Sequence, residues 1–228
     1  MRKYYPLLVD LAARRCLVVG GGRVAERKVG LLLECGAAVE LVSPKATARL
    51  AALAGAGRIH WRRRVARPAD VRGAFLVVAA TDDAAANQQV AVRARKAGSL
   101  VNVVDDPEAC TFLVPSVIRR GELTIAISTG GGSPALAKRL RERLEAMVGP
   151  EYDGYVAALR LLREEAQAAI ADPAARRTLY RRAVQSNLLE HVARGDREAV
   201  ATCIRDLVQA ATGGKSGTAL PRHGTDEH

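Results

Sequence analysis

The chain has 228 residues, of which 49% are hydrophobic and 26% charged, so it suits one large domain or two small ones with a sizeable core. Lysine and arginine number 35 against 24 acidic residues, a formal net charge of +11. Such an excess is typical of proteins that bind nucleic acid, anionic membranes or acidic small molecules, although genome base composition explains much of it equally well. Aromatic residues make up only 4%, which argues against a single-strand binder built on stacking rings.

The four cysteines and four histidines give no sign of a disulfide framework or a metal site. Cys16, Cys35, Cys110 and Cys203 form no CxxC pair and have no zinc-site spacing, and no histidines pair at ligand spacing. The N-terminus lacks the apolar region of a signal peptide, and no apolar run approaches 18 residues. We therefore expect reduced thiols in a cytoplasmic protein, with no permanent metal and no membrane partner.

The first half of the chain alternates short apolar runs with stretches of helical periodicity. The predicted strands are 16–20, 38–42, 59–61, 74–80 and 100–104, and the predicted helices are 23–34, a stretch from Pro44 to about 54, and 84–97. This alternation predicts βαβ units and a parallel sheet, and the nearly continuous apolar strands favour burial on both faces.

The pattern changes near Asp105. Two extended runs on either side of Gly121 predict a hairpin, and Ser133–Pro134 is typical of a helix start. The predicted elements are strands at 112–118 and 123–128, a helix from 135 to about 147, helices from 151 to about 211 with breaks near 172 and 195, and a disordered tail at 213–228.

A glycine cluster follows the first predicted strand and opens the first predicted helix. The run from Gly20 to Ala25, GGGRVA, matches the G-x-G-x-x-[GA] pattern of dinucleotide-binding loops in the required context. Gly20 permits the tight turn, Gly22 lets the backbone approach a pyrophosphate, and Ala25 allows close helix–sheet packing. The helix N-terminus attracts the phosphates. The predicted cofactor-binding residues of this loop are Gly20, Gly21, Gly22, Arg23 and Val24.

One element of the dinucleotide pattern is missing. An acidic residue at the end of the second strand binds the ribose hydroxyls of NAD in such loops, but here that position holds Ser43, followed by Pro44 and Lys45. Glu40 lies inside the strand and is not expected to substitute. Ser43 can hydrogen-bond a ribose and Lys45 suits a 2′-phosphate, so the motif alone leaves NAD and NADP open. We include Ser43 and Pro44 among the predicted cofactor-binding residues.

Five stretches together resemble a known family, in order and in spacing. They are Cys16–Arg27 (CLVVGGGRVAER), Ala79–Asn87 (AATDDAAAN), Asn102–Asp106 (NVVDD), Phe112–Pro115 (FLVP) and Ser128–Pro134 (STGGGSP). From about Tyr5 to Ala211 the chain resembles the precorrin-2 dehydrogenase/sirohydrochlorin ferrochelatase family, which is the dehydrogenase/chelatase portion of siroheme synthase.

The resemblance implies an architecture and an activity. It implies an α/β Rossmann-type domain at 1–111, a small strand–helix dimerisation segment at 112–148, a helical domain at 149–212 and a tail at 213–228. It implies NAD-dependent oxidation of precorrin-2 to sirohydrochlorin by a homodimer, and many members also insert Fe²⁺ to give siroheme. Co²⁺ is the alternative metal substrate if the product feeds cobalamin synthesis. From its length, we expect the chain to lack the methyltransferase domain of the multifunctional members.

The resemblance places the family's essential aspartate, within its N-V-V-D motif, at Asp105. A carboxylate there can take the proton released on dehydrogenation, and can accept pyrrole N–H protons when a metal enters the macrocycle. The alternative is that Asp105, Asp106 and Pro107 only form a turn, which the residues alone favour. Of the two acids, Asp106 is the expected turn residue because it precedes proline.

The other predicted site residues lie at strand ends and in the second glycine loop. Thr81 and Val103 are expected at the cofactor, whereas Asp82 and Asp83 are expected to cap the next helix. A glycine-rich loop before a helix N-terminus binds a carboxylate as well as a phosphate, with a plain connecting loop as the alternative. The expected substrate-binding residues are Asn102, Ser128, Gly130, Gly131 and Ser133.

The excess positive charge has a candidate explanation, because precorrin-2, the substrate that the resemblance implies, carries eight carboxylates. The residues expected to line a carboxylate-binding cleft are Arg119, Arg120, Lys138, Arg139, Arg141 and Arg143. This cleft does not account for the arginines of the first half of the chain, which are Arg58, Arg62, Arg63, Arg64 and Arg67. For the basic stretch around Trp61, a solvated surface is favoured over contact with nucleic acid. The competing function is a regulatory Rossmann module that senses NAD without catalysis; a nucleic-acid binder is disfavoured because no binding signature appears.

Overall fold

The computed structural model describes residues 3–212, so the predicted tail at 213–228 lies outside the described residues. The chain divides into two compact units. Unit 1 contains the described residues up to Val114 together with Ser128–Pro134, and unit 2 contains Pro115–Ile127 and the described chain from Ala135 onward. The segment 112–148 is thereby shared between the two units.

Unit 1 is built on a five-stranded parallel sheet with the strand order β3-β2-β1-β4-β5, which confirms the predicted α/β class. The strands are β1 (Arg15–Val19), β2 (Ala38–Val42), β3 (His60–Arg62), β4 (Leu76–Ala79) and β5 (Leu100–Val103). The strand predicted at 74–80 is thus shorter at both ends.

Helices cover both faces of this sheet. They are α1 (Arg23–Glu34), α2 (Ala48–Gly55) and α3 (Ala84–Lys96), with short 3₁₀ turns at Pro68–Val71 and Pro107–Ala109 that the sequence did not predict. The bounds of α1 are those predicted. Helix α2 begins later than Pro44 because Thr47 caps it, its hydroxyl accepting the Leu50 N–H at 3.3 Å.

The two faces of β1 show why the strands are continuous apolar runs in the sequence. Cys16 and Val18 are buried on the face covered by α1 and α2, whereas Leu17 and Val19 are buried on the face covered by α3. Side chains alternate between faces along a strand, so a sheet covered on both sides needs apolar residues at every position. Each buried Val or Leu contributes about 1.5–3 kcal/mol to folding.

Unit 2 combines a hairpin with a helical bundle. Its elements are β6 (Ser116–Arg120), β7 (Leu123–Ile127), α4 (Pro134–Glu145, whose first residue belongs to unit 1), α5 (Glu151–Ala169), α6 (Pro173–Gln185), α7 (Leu188–Ala193) and α8 (Arg197–Thr212). The hairpin turns at Gly121, as predicted, with a φ of +55°. Asp172 caps α6 through the Ala174 and Ala175 N–H groups, and Gly195, at a φ of +70°, follows α7.

One helix break in unit 2 was not predicted. Helix α6 ends at Gln185 because the Ser186 hydroxyl donates to the Ala183 carbonyl at 2.7 Å and accepts the Leu188 N–H at 3.3 Å. A serine that bonds local backbone offers the chain an alternative to the helix. Within residues 3–212, no helix is both long and apolar enough to cross a lipid bilayer.

Candidate functional site

The residues that follow the carboxyl ends of β1, β2, β4 and β5 lie at one end of the unit 1 sheet, which we call the carboxyl end. The first glycine loop follows β1, Ser43 follows β2, Thr81 lies just beyond β4, and Asp105 lies just beyond β5. Parallel strands bring their carboxyl ends together, and open α/β sheets bind ligands there. The predicted cofactor residues are therefore gathered in one region by the topology.

Two glycines of the first loop are required by the protein's own backbone. A Cβ on Gly20 would lie 2.2 Å from the Ala80 carbonyl oxygen, and the φ of Gly20 is +112°. A Cβ on Gly21 would lie 2.0 Å from the Lys45 carbonyl oxygen and 2.9 Å from Ser43 Oγ. These two glycines allow the loop after β1 to pack against the loops after β4 and β2, and the sequence had suggested no such packing role for Gly21.

Gly22 differs from its two neighbours, because a Cβ there would meet nothing within 4 Å. It is the N-cap residue of α1, and no side chain caps that helix. Arg23 and Val24 form the exposed start of α1, while Ala25 is fully buried against the sheet. Open space in front of uncapped N–H groups fits the pyrophosphate of a dinucleotide.

The end of β2 carries no carboxylate available to a ribose. Glu40 is buried in an ion pair with Arg15, as expected for a residue inside the strand. The Ser43 hydroxyl donates to the Lys45 carbonyl at 2.6 Å, and the Ser43 carbonyl accepts the Trp61 indole N–H at 3.0 Å. Pro44 and Lys45 are exposed, so Lys45 is an exposed cation close after the end of β2.

The loop after β4 is held by a residue whose role the sequence reasoning missed. Asn87, buried on α3, accepts from the Thr81 hydroxyl at 2.7 Å and the Thr81 N–H at 3.1 Å, and donates to the Thr81 carbonyl at 2.9 Å. Asp83 caps α3 through the Ala85 N–H, as predicted, whereas Asp82 is exposed and forms no such bond in the described chain. The one available signal was an amide side chain on the buried face of α3, and it does not by itself identify the partner Thr81.

Asp105 has an unusual backbone. Its φ is +61°, in the left-handed region that costs a non-glycine residue roughly 1–2 kcal/mol. The residue is exposed, and within residues 3–212 no group forms a hydrogen bond or ion pair with its carboxylate. Asp106 instead serves the turn: its carboxylate accepts the Ala109 N–H at 3.0 Å and contacts the Gln88 amide. The two adjacent acids thus have different roles.

Asn102 and Val103 are both buried at the end of β5. The Asn102 amide donates to the Phe112 carbonyl at 3.3 Å and lies 3.5 Å from the Cys110 sulfur. The Val103 N–H donates to the same sulfur at 3.1 Å. These contacts orient the loop that follows β5. Direct contact of Asn102 with substrate and of Val103 with cofactor stays a prediction.

The second glycine loop, Ser128–Ser133, is closed by a threonine that was not among the predicted residues. The Thr129 hydroxyl accepts the Ser133 N–H at 2.9 Å and donates to the Ser133 carbonyl at 3.1 Å. The Gly130 N–H donates to the Ser128 hydroxyl at 3.2 Å, and both glycines 130 and 131 have positive φ. The loop is largely exposed, and its substrate contacts stay predictions.

The basic residues expected to bind substrate carboxylates, on the hairpin and α4, differ in whether an acidic side chain pairs with them. Arg120 and Arg141 both pair with Glu145, and Lys138 lies 3.8 Å from Glu142. Their charge is therefore partly neutralised within the unit, which weakens the expectation that they bind substrate carboxylates. Arg139 and Arg143 are exposed and form no ion pair within residues 3–212. They are the better candidates on α4.

Two of the arginines that the sequence left unplaced, Arg62 and Arg64, belong to an internal network. We call this network the arginine cluster: Arg15, Glu40, Arg62, Arg64 and Asp70. Asp70 is 4% exposed and receives two hydrogen bonds from the Arg64 guanidinium, at 2.6 and 2.8 Å. These bonds hold the pKa of Asp70 below its usual range. Arg62 pairs with both Glu40 and Asp70. Nearby, Arg63 stacks over the Trp61 ring at 4.4 Å.

A resident metal site is not evident in the part of the chain that the structure describes. Residues 3–212 contain no group of three or more His, Cys, Asp or Glu side chains that could hold a metal ion. All four cysteines are free thiols, and burial raises the pKa of Cys16 to about 11.

Three family models match successive parts of the chain. An NAD(P)-binding model matches residues 7–116, the sirohaem biosynthesis protein central model matches residues 120–147, and the sirohaem synthase dimerisation region matches residues 156–208. The first match assigns a nicotinamide dinucleotide to unit 1. The dimerisation match falls on the helices of unit 2 rather than on segment 112–148.

Curated relatives and a solved structure agree with these models. Siroheme synthase of Methylococcus capsulatus is 42% identical over 209 residues, covering 91% of this chain and 44% of the relative. Siroheme synthase 1 of Aeromonas salmonicida is 42% identical over 219 residues, covering 95% of this chain and 47% of the relative. The solved structure of SirC, a precorrin-2 dehydrogenase, matches with a TM-score of 0.72 and 28% identity, covering 92% of this chain and 100% of SirC.

The chain spans less than half the length of the two siroheme synthases, but it matches SirC over that protein's full length. It carries the NAD(P)-binding, central and dimerisation regions in their order along the chain. By these matches, the chain belongs to the siroheme-synthase family, as a counterpart of the portion that contains these three regions.

Proposed function

We propose that this protein catalyses the NAD-dependent oxidation of precorrin-2 to sirohydrochlorin. The observation that carries the proposal is the carboxyl end of the unit 1 sheet, where an uncapped helix N-terminus and the unpaired Asp105 carboxylate follow strands of the same sheet. The resemblance to SirC along the whole of that protein supports the substrate. A module that only senses the cofactor has no need for Asp105.

The first glycine loop is proposed to hold the cofactor pyrophosphate. The N–H groups at the start of α1, from Gly22 to Val24, would donate to the phosphates, and Gly22 leaves the space for them. We propose NAD rather than NADP on the family resemblance, with Lys45 as the group that would favour a 2′-phosphate if the proposal is wrong. When bound, the nicotinamide supplies the hydride acceptor.

Asp105 is proposed as the general base. Oxidation of precorrin-2 removes a hydride and a proton, and the proton needs an acceptor near the reacting carbon. The Asp105 carboxylate is exposed and has no hydrogen-bond or ion-pair partner within residues 3–212, so its oxygens have free lone pairs to take the proton. In metal insertion, the same oxygens would accept pyrrole N–H protons as Fe²⁺ or Co²⁺ enters.

The eight substrate carboxylates need cationic or N–H donors. We propose that Ser128, Gly130, Gly131 and Ser133 offer donors from the second glycine loop. We also propose a homodimer, supported by the match of residues 156–208 to the dimerisation region. The four free thiols suit work in the reducing cytoplasm.

The decisive experiment is an anaerobic assay of purified protein with precorrin-2 and NAD, following the sirohydrochlorin spectrum and NADH together. Asp105→Asn should lower kcat by about 100-fold or more while cofactor affinity stays unchanged, because the amide cannot take a proton. Asp82→Asn, an exposed acid beyond β4, is the matched control and should retain wild-type kcat. No turnover by the wild type with intact NAD binding would favour the sensing module instead.

Two variations of this assay settle the finer points. Replacing NAD by NADP tests the cofactor choice, and a lower KM for NADP would overturn the NAD proposal. Adding Fe²⁺ or Co²⁺ after oxidation is complete tests metal insertion, read from the change of the macrocycle spectrum. Asp105→Asn should slow that step too if the carboxylate accepts the pyrrole protons.

A further inference from the structure

The turn that carries Asp105 is held at both ends by a single sulfur atom. The Val103 N–H donates to the Cys110 sulfur at 3.1 Å, and the sulfur lies 3.4 Å from the Val103 carbonyl and 3.2 Å from the Asp106 carbonyl. Val103 precedes the turn and Asp106 closes it. Cys110 is 5% exposed, so water does not compete for these contacts.

The position of β5 explains why a side chain is needed there. Because β5 is the last strand of the sheet, the N–H groups of Val101 and Val103 have no neighbouring strand to pair with. The Thr111 hydroxyl accepts the Val101 N–H at 2.7 Å, and Cys110 accepts the Val103 N–H. Residues 110 and 111 thus cover the open edge of β5, but only Cys110 also reaches the Asp105 turn.

The Asp106 carboxylate also supports this turn, through the Ala109 N–H and the Gln88 amide, but the backbone of the turn is only weakly bonded to itself. Asp105 has a left-handed φ of +61°, which a non-glycine residue adopts only when its surroundings impose it. The backbone bond that closes the turn, from the Asp106 N–H to the Val103 carbonyl, is long at 3.5 Å. The thiol can donate its one proton to either the Val103 or the Asp106 carbonyl while its sulfur accepts the Val103 N–H. It therefore ties the start of the turn to its end.

We propose that Cys110 is a positioning residue that fixes the direction of the Asp105 carboxylate through the backbone of the 103–106 turn. The inference rests on the proposed function, since it gives Asp105 the role of general base. It assigns no reaction to the thiol itself. Cys110 acts by hydrogen bonding and not by filling volume, which is the distinction the experiment must test.

Three substitutions at Cys110 separate hydrogen bonding from volume. Cys110→Ala removes both, and Cys110→Val keeps apolar volume without the hydrogen bonds. Both should lower kcat about 10- to 100-fold with KM and cofactor Kd nearly unchanged, because a small misplacement of a catalytic group has effects of that size. Cys110→Ser keeps a donor and an acceptor and should retain kcat within about threefold.

Thr111→Val is the matched control. It removes the neighbouring bond at the edge of β5 without touching the 103–106 turn, so it should lower the thermal unfolding midpoint but leave kcat unchanged. The proposal is overturned if Thr111→Val lowers kcat as much as Cys110→Ala, or if Cys110→Val has wild-type kcat. If Cys110→Val does not fold, the Ala and Ser variants carry the test.

Two readouts keep this inference apart from the proposed function. Wild-type turnover of precorrin-2 tests the function, whereas the ratio between variants tests Cys110. A crystal structure of Cys110→Ala gives a result that needs no activity: the Asp105 φ should move away from +61°. An unchanged turn in that structure would overturn the positioning role even if the wild type oxidises precorrin-2.

Discussion

The arginine cluster and the carboxyl end of the same sheet carry charged side chains in opposite circumstances. In the cluster, Glu40 and Asp70 are buried, and each carboxylate meets at least one guanidinium. At the carboxyl end, the Asp105 carboxylate has no partner within residues 3–212, and α1 starts without a side-chain cap. Charged groups that are paired inside the protein stabilise the fold, whereas polar groups that have no partner at a strand end are available to a ligand. Substitutions in the two regions should therefore affect different measurements.

The largest expected effect on stability comes from the glycine nearest to the β4 backbone. Gly20→Ala places a Cβ 2.2 Å from the Ala80 carbonyl oxygen at a φ of +112°, and should reduce the free energy of unfolding by about 3 kcal/mol or more. Gly22→Ala, where a Cβ meets nothing within 4 Å, should change it by less than about 1 kcal/mol. Urea denaturation of both variants compares them; equal losses would contradict the packing role of Gly20.

Asp70→Ala should reduce the free energy of unfolding by about 2–3 kcal/mol, because it leaves Arg64 without its buried partner and removes one of the two partners of Arg62. Cofactor affinity should not change, since the arginine cluster is satisfied internally. Urea denaturation and cofactor titration of the same sample measure both. A weaker Kd together with unchanged stability would show that the arginine cluster belongs to the ligand site and would remove the contrast between the two regions.

Gly22→Asp should weaken cofactor binding and leave stability nearly unchanged, the reverse of what we expect for Asp70→Ala. A carboxylate at the start of α1 repels the phosphates and occupies their space, so cofactor Kd should rise about tenfold or more, equivalent to about 1.4 kcal/mol. Stability should stay close to that of the wild type, because the position is open. Gly22→Ala is the control for size alone, and should bind cofactor more tightly than Gly22→Asp when both are followed by fluorescence titration.

The arginine cluster should also make stability depend on pH. The hydrogen bonds from Arg64 hold the folded-state pKa of Asp70 below its ordinary value. A lowered pKa means that the stabilisation is complete above the unfolded-state pKa, near 4, and is lost as the pH falls through the folded-state value. The free energy of unfolding should therefore fall below about pH 4, with a shallower fall in Asp70→Asn. Parallel curves for the two proteins would exclude Asp70 as a source.

The smallest expected change in the free energy of unfolding is an increase. Asp105→Gly replaces a residue at a φ of +61° with one that adopts it freely, and should change the free energy of unfolding by no more than about 1 kcal/mol, towards stability. The same substitution should abolish turnover. A destabilised variant would mean that Asp105 serves the fold, which would remove it from the functional side of the comparison.

Most of the fold followed from short-range pattern. The 3.6-residue spacing and the glycine cluster predicted α1 with its observed bounds, and Gly121 marked the hairpin turn. Two of the helix boundaries that differed depend on single side chains that bond local backbone. Thr47 delays the start of α2, and Ser186 ends α6. Such bonds compete with the helix at each position and leave little trace in hydrophobic periodicity.

The site was predicted less completely than the fold. Spacing and the family resemblance singled out the first glycine loop and Asp105, but not Asn87, Thr129 or Cys110. Each of these three acts on backbone that is four to seven residues away in the chain. A single Asn, Thr or Cys at that distance forms no recognisable sequence motif, because its hydrogen bond to the backbone depends on where the loop folds back.

The sequence by itself determined the order of strands and helices, the two-sided burial of the sheet and the dinucleotide loop, because these depend on periodicity and on residues adjacent in the chain. Only the tertiary structure decided how the charge is used. Arg15 reaches Glu40 across 25 residues because β1 and β2 are neighbours in the sheet, and Arg64 reaches the buried Asp70. Some of the 35 lysines and arginines thus neutralise buried acids. A count of charges records neither burial nor distance, and those two quantities separate an internal ion pair from a cation available to a ligand.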